Sequence, residues 1–177
     1  MKTLGRGLRR LLDGLYFAGG LIAAVCLVAI LAIIVAQMVT RWTGLTFPGA
    51  TSYAGYAMAA ASFFAFAHAL NRGAHIRVSV LLTALGPKRR WLELWCFAIG
   101  AALSWFFARY AIKAVYWSWK LKDVSQGQDA TPLWIPQLAM AAGTVLLAIA
   151  MTDHLVRIVF LGEHGIKADT VDQSQGK

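Results

Sequence analysis

The sequence predicts an all-α integral membrane protein of four transmembrane helices with both termini on the cytoplasmic side. Three observations carry this: four long apolar stretches, basic residues gathered almost entirely on alternate connections, and tryptophans at the ends of the stretches. Of 177 residues, 59% are hydrophobic and 14% charged, too apolar a balance for a soluble domain of this size. The stretches cover about 15–39, 52–71, 91–117 and 133–160. At 1.5 Å rise per residue, about 20 residues cross the ~30 Å hydrocarbon core of a bilayer, so each is long enough to span it. The connections leave no room for a second domain. Residues 1–161 are expected to form one membrane domain and 162–177 a polar cytoplasmic tail without apolar periodicity.

The N-terminal segment places Leu4, Leu8, Leu11, Leu12 and Leu15 at helical spacing, with Arg6, Arg9 and Arg10 off that stripe. It is expected either to lie on the inner membrane surface before turning into the first span, or to be a disordered basic anchor; Gly5, Gly7 and Gly14 weaken a helix there. The first span is about twice the length of a signal-peptide core and no clean small-residue cleavage site follows it, so a retained helix is expected.

Charge sets the orientation. With the N-terminus inside, the cytoplasmic face receives Lys2, Arg6, Arg9, Arg10, Arg72, Arg77, Lys88, Arg89, Arg90, Arg157, Lys167 and Lys177, and the outer face only Arg41, Lys120 and Lys122. The net charge of +9 therefore reflects topology, and no basic face with interleaved aromatics points to nucleic acid. Trp42, Trp117, Trp119 and Trp134 fall at the outer interface and Trp91 and Trp95 at the inner one; Trp105 alone lies mid-span.

Between spans two and three, Val78, Leu81, Leu82 and Leu85 recur at helical spacing before Gly86-Pro87, which predicts a short amphipathic helix at the cytoplasmic interface; a loop dipping into the headgroups is the alternative. Small residues recur four apart in span one (Gly20, Ala24, Ala32, Ala36), span two (Ala57, Ala61, Ala65, Ala69) and span three (Gly100, Ser104, Ala108), spacing that lets helix backbones approach, most simply those of the same bundle. Cys26 and Cys96 lie inside apolar spans, so neither a disulfide nor a metal site is expected.

A carrier that moves solute through its own core usually places ionisable groups deep in its spans or breaks its helices. Here Arg109 and Lys113 lie toward the outer end of span three, Glu93 at its inner start, and Asp153, His154 and Arg157 toward the inner end of span four. No carboxylate is near mid-membrane in the first two spans, which argues against a small proton-coupled exporter. His68 and His154, at similar depth, raise a haem-binding or quinone-binding membrane anchor of a redox enzyme as another reading. Hydrogen-bonded interfacial histidines are the plainer one, and no cofactor is expected.

Two segments are more specific. Arg72-Gly73-Ala74-His75-Ile76-Arg77-Val78 follows span two, and Thr131-Pro132-Leu133-Trp134-Ile135-Pro136-Gln137 opens span four. With the four-span layout, they resemble the DctQ-like small membrane subunit of tripartite ATP-independent periplasmic (TRAP) transporters. The chain departs from that pattern at Ser79 and at Ser52-Tyr53-Ala54-Gly55-Tyr56, where the family often carries charged residues. Physically, Gly73 permits a tight turn, His75 offers two ring nitrogens for tying it to a neighbour, and Pro136 is tolerated in a first helical turn. Arg72, Gly73, His75, Arg77, Trp134 and Pro136 are candidates for structural or partner contacts, and a purely structural role stays open for each.

The resemblance implies a non-catalytic scaffold in the bacterial inner membrane, surrounded by membrane lipid. Its partners would be a large multi-span transport subunit (DctM-like) and a periplasmic substrate-binding protein (DctP-like), for uptake of an organic acid driven by an ion gradient, commonly sodium. Two outer loops are candidates for docking the binding protein: 41–51, and 120–131 with Lys120, Lys122, Asp123 and Asp129. Ordinary solvated loops are the alternative. The redox anchor and a self-sufficient small exporter are the competing functions.

Overall fold

A computed structural model describes residues 2–72 and 89–161. Four helices hold most of them: α1, Lys2–Trp42; α2, Ala50–Arg72; α3, Arg89–Leu121; and α4, Trp134–Leu161. Among the described residues the remaining regular feature is one isolated antiparallel bridge, Val124 with Pro132. Three helices, over Arg9–Trp42, Glu93–Leu121 and Trp134–Val159, are long and apolar enough to cross a membrane. At 23 residues, about 35 Å, α2 has the length. Its tyrosines, serines and His68 hold it below the same degree of apolarity.

The helices pack in the order α1, α2, α4, α3, so that α2 and α4 form the middle and α1 and α3 the flanks. Close approach of the middle pair depends on Gly143, where a Cβ would lie 2.7 Å from the Phe63 carbonyl carbon and Cβ. Ala101, Ala108 and Ala111 are buried on α3, the helix that packs chiefly on α4, and the Trp105 indole N–H donates to the Thr152 hydroxyl at 3.0 Å. That bond gives the mid-span tryptophan a polar partner, which its body would otherwise lack inside a membrane.

The first helix departs from expectation. It runs unbroken from Lys2 to Trp42, with no turn between a surface segment and the span. Glycine at position 14 costs about 1 kcal/mol relative to alanine, but tertiary packing outweighs it. Tyr16 is 1% exposed in a core with Ala67, Leu70, Leu146 and Ala150, and Leu12 packs against that core. Beyond Ala23 the same helix buries little: Leu27, Val28, Leu31, Val35 and Val39 are all exposed. Of its small residues Gly20 meets α2, whereas Ala24, Ala32 and Ala36 face outward. A helix apolar all round is suited to lipid or to a partner helix.

Trp42, Trp117, Trp119 and Trp134 gather at the end of the bundle that carries the α1–α2 and α3–α4 connections, here the loop end. Trp91 and Trp95 lie toward the opposite, N-terminal end. The expected interfacial helix over 78–85 and the tail lie outside the described residues.

Candidate functional site

At the loop end, the α3–α4 connection is folded onto the start of α2. Its base is a short hairpin in which the Ser125 N–H donates to the Thr131 carbonyl at 2.8 Å and the Leu133 N–H to the Asp123 carbonyl at 3.0 Å. At its tip the Asp129 carboxylate accepts from the Tyr56 hydroxyl of α2 at 3.0 Å and from the Ser125 hydroxyl at 3.1 Å. Hydrogen bonding, from Thr131 foremost and then from Tyr56 and Ser125, holds the carboxyl down to about 2 against partial desolvation.

Two glycines make the approach possible. A Cβ on Gly127 would lie 2.5 Å from Asp129 Oδ1 and 2.9 Å from Ser52 Oγ, and one on Gly49 would lie 2.8 Å from Asp129 Cβ. Gly49 also has φ +80°, in the left-handed region that favours glycine. The polar residues at the start of α2 where the chain departs from the TRAP pattern, Ser52 and Tyr56, are thus the ones that meet this loop.

The helix ends display the charges. The Lys122 N–H and the Asp123 N–H turn back to the Trp119 and Ser118 carbonyls in a Schellman cap, with Lys122 at φ 54° in the position usually given to glycine. Lys120 folds its ammonium over the rings of Trp117 and Tyr116, 5.2 and 5.9 Å from their centroids. Lys120, Lys122 and Asp123 are exposed together. Asp129 stands apart from them, half-buried and held inward. A recess of about 830 Å³, lined by both polar and apolar side chains, runs from the end of α1 and the α1–α2 connection, with Gln37, Arg41, Leu45 and Phe47, to Gln128 of the α3–α4 connection. The two loops therefore lie side by side, meeting where Gly49 approaches Asp129.

Of the remaining candidates, Trp134 opens α4 and Pro136 occupies its third position, where no intrahelical N–H bond is lost. Arg72 is the last residue of α2. Gly73, His75 and Arg77 lie outside the described residues.

The N-terminal end holds a polar group of its own. His68 Nδ1 lies 3.2 Å from the Tyr16 carbonyl oxygen, which can only accept, so this nitrogen carries the proton. Gly20 admits the ring, since a Cβ there would be 2.8 Å from His68 Cγ. On α1, Arg9 pairs with Asp13 at 3.8 Å. His154 is fully buried and meets the ring of Phe97 on α3 at 5.7 Å between centroids. The two histidines thus have different surroundings, His68 against α1 and His154 against α3.

What sequence reasoning missed are the contacts of Tyr56, Ser125 and Thr131 with Asp129. The run Ser125-x-Gly127-x-Asp129 carried turn chemistry, but nothing in it named a partner on α2.

A family model described as tripartite ATP-independent periplasmic transporters, DctQ component, matches residues 30–161. No curated protein and no solved structure gives a match. The matched segment runs from the second half of α1 to the end of α4, including the folded α3–α4 connection and the entry to α4. With three helices able to cross a membrane and the fourth packed between them, this chain belongs to the DctQ component family, the small membrane subunits of TRAP transporters.

Proposed function

We propose that this chain is the non-catalytic scaffold of a three-part solute importer in the bacterial inner membrane. It holds the large transport subunit and helps present an outer surface to the substrate-binding protein. The observation that carries this reading is the family match over 30–161. All four helices cross the bilayer, α2 being sheltered between α1 and α4, and both termini face the cytoplasm in accord with the charge bias. Residues 1–161 are the single membrane domain.

The loop end is then periplasmic. Lys120, Lys122 and Asp123 offer rim charges to the binding protein, and Asp129 acts indirectly by holding their loop in place. Such charges mainly tune encounter rate and orientation. Arg72, Gly73, His75 and Arg77 mark the cytoplasmic exit of α2, and Trp134 and Pro136 the periplasmic entry of α4. The transported solute is an organic acid, carried by the large subunit on an ion gradient, commonly sodium.

The test is to tag the chain in its native cells, extract membranes in mild detergent and identify by mass spectrometry what co-purifies. Near-equimolar recovery of a much larger multi-span protein is expected. Recovery of the chain alone under several gentle detergents, or with a redox enzyme, would overturn the proposal.

A further inference from the structure

Arg109 and Lys113 stand one turn apart on α3, both exposed. The buried residues of that helix, Ala101, Ala108, Ala111 and Ser118, lie on the side toward α4, so the two cations point away from the rest of the bundle. Exposed Phe106 and Tyr110 flank them, their rings 4.6 Å apart.

Their depth is unusual for cations. Trp117 and Trp119 lie near the loop end of α3, with Trp42 and Trp134 at the same end of the bundle. At 1.5 Å per residue, Lys113 lies about 6 Å and Arg109 about 12 Å inward from Trp117 along the helix. Lys113 is within snorkelling reach of the headgroups. Arg109 lies deeper, within the outer half of a hydrocarbon core whose half-thickness is about 15 Å, where an unpaired guanidinium is costly.

Among the described residues no carboxylate lies at that depth beside Arg109 and Lys113. The chain's eight acidic residues are Asp13, Glu93 and Asp153 toward the N-terminal end, Asp123 and Asp129 in the α3–α4 connection, and Glu163, Asp169 and Asp172 beyond α4. Neither Arg109 nor Lys113 makes an ion pair among the described residues. A second copy meeting this face with its own would bring like charges together, and a lipid phosphate remains at the interface.

We infer that this face of α3 is a docking surface for a transmembrane helix of the large subunit, one that carries a carboxylate in the periplasmic half of the membrane to pair with Arg109. The inference rests on the scaffold reading above and adds to it which helix faces the partner and the chemistry the partner must bring. A guanidinium and a carboxylate form two parallel hydrogen bonds that a lysine cannot reproduce. Phe106 and Tyr110 supply the apolar border that excludes lipid from the pair.

The test co-expresses the tagged chain with its large subunit and measures the ratio of the two after mild extraction. Arg109→Gln with Lys113→Gln should lower the large subunit recovered per chain by about tenfold or more, with the chain's membrane level unchanged. Arg109→Lys should fall between. Removing charge from a span eases its insertion, so reduced insertion would not explain the loss. Were the chain's level nevertheless to fall, carbodiimide cross-linking of the wild-type complex decides. An amide between the Lys113 amine and an Asp or Glu in a large-subunit helix supports the inference, and no such amide overturns it. A wild-type ratio retained by the double variant also overturns it, even where co-purifying anionic lipid declines. Failure of the wild-type chain to recover the large subunit would instead overturn the scaffold reading, and this inference with it.

Discussion

The Tyr56 hydroxyl donates a 3.0 Å hydrogen bond to the Asp129 carboxylate, tying the α3–α4 connection to the start of α2. This bond and its neighbours turn an otherwise solvated loop into a fixed surface beside exposed Lys120 and Lys122. Tyr56→Phe removes one donor to the carboxylate and should lower the unfolding temperature in detergent. It should also raise the protease sensitivity of residues 122–133 while the helices stay intact.

The same carboxylate gives a pH dependence whose sign is fixed. Its folded value, about 2, lies below the ordinary 3.8, so its stabilising contribution is complete above about 3.8 and is lost as the pH falls toward 2. The difference in unfolding temperature between the wild type and Asp129→Asn should be constant from about pH 8 to about pH 5 and should close between about pH 4 and pH 2. Thermal unfolding in detergent across that range measures it. A difference that closes near neutral pH would show that another group is responsible.

Gly143→Ala places a methyl group 2.7 Å from the Phe63 carbonyl carbon, where backbone cannot move aside as a side-chain tip can. The expected cost is about 1–3 kcal/mol, typical of overpacking. Gly55→Ala, with nothing within 4 Å of the added carbon, is the matched control and should be neutral or slightly stabilising. Thermal unfolding of the two variants side by side separates helix crossing from helix propensity.

Lys122 holds a left-handed conformation that costs a non-glycine residue about 1–2 kcal/mol. Lys122→Gly should therefore stabilise the end of α3 by about 1 kcal/mol. If the lysine helps to dock the binding protein, the same variant should slow binding-protein-dependent uptake, and the charge reversal of Lys120 and Lys122 should slow it further at an unchanged membrane level of the complex. A more stable variant with unaltered uptake at every binding-protein concentration would limit Lys122 to a helix cap.

Helix positions were legible because long apolar runs with few charges favour continuous helix. Spans expected at 52–71, 91–117 and 133–160 lie within or close to the observed α2, α3 and α4, and the first-turn place of Pro136 follows from where α4 begins. The unbroken α1 was not legible: local glycine content argued for a break, and only the burial of Tyr16 against α2 and α4 shows why the helix continues. The α3–α4 clasp was hidden for a related reason. It depends on Tyr56 and Asp129, far apart in sequence, and no periodicity announces such a pair. Trp105 likewise stood out as misplaced until α4 supplied Thr152.

The most direct test of the central claim is solute uptake into proteoliposomes that carry the large subunit alone, this chain alone, or both, with and without the binding protein and an ion gradient. The scaffold account predicts no uptake by this chain alone and robust gradient-driven uptake only when all three proteins are present. Transport by this chain alone, or full binding-protein-dependent transport by the large subunit without it, would contradict the account.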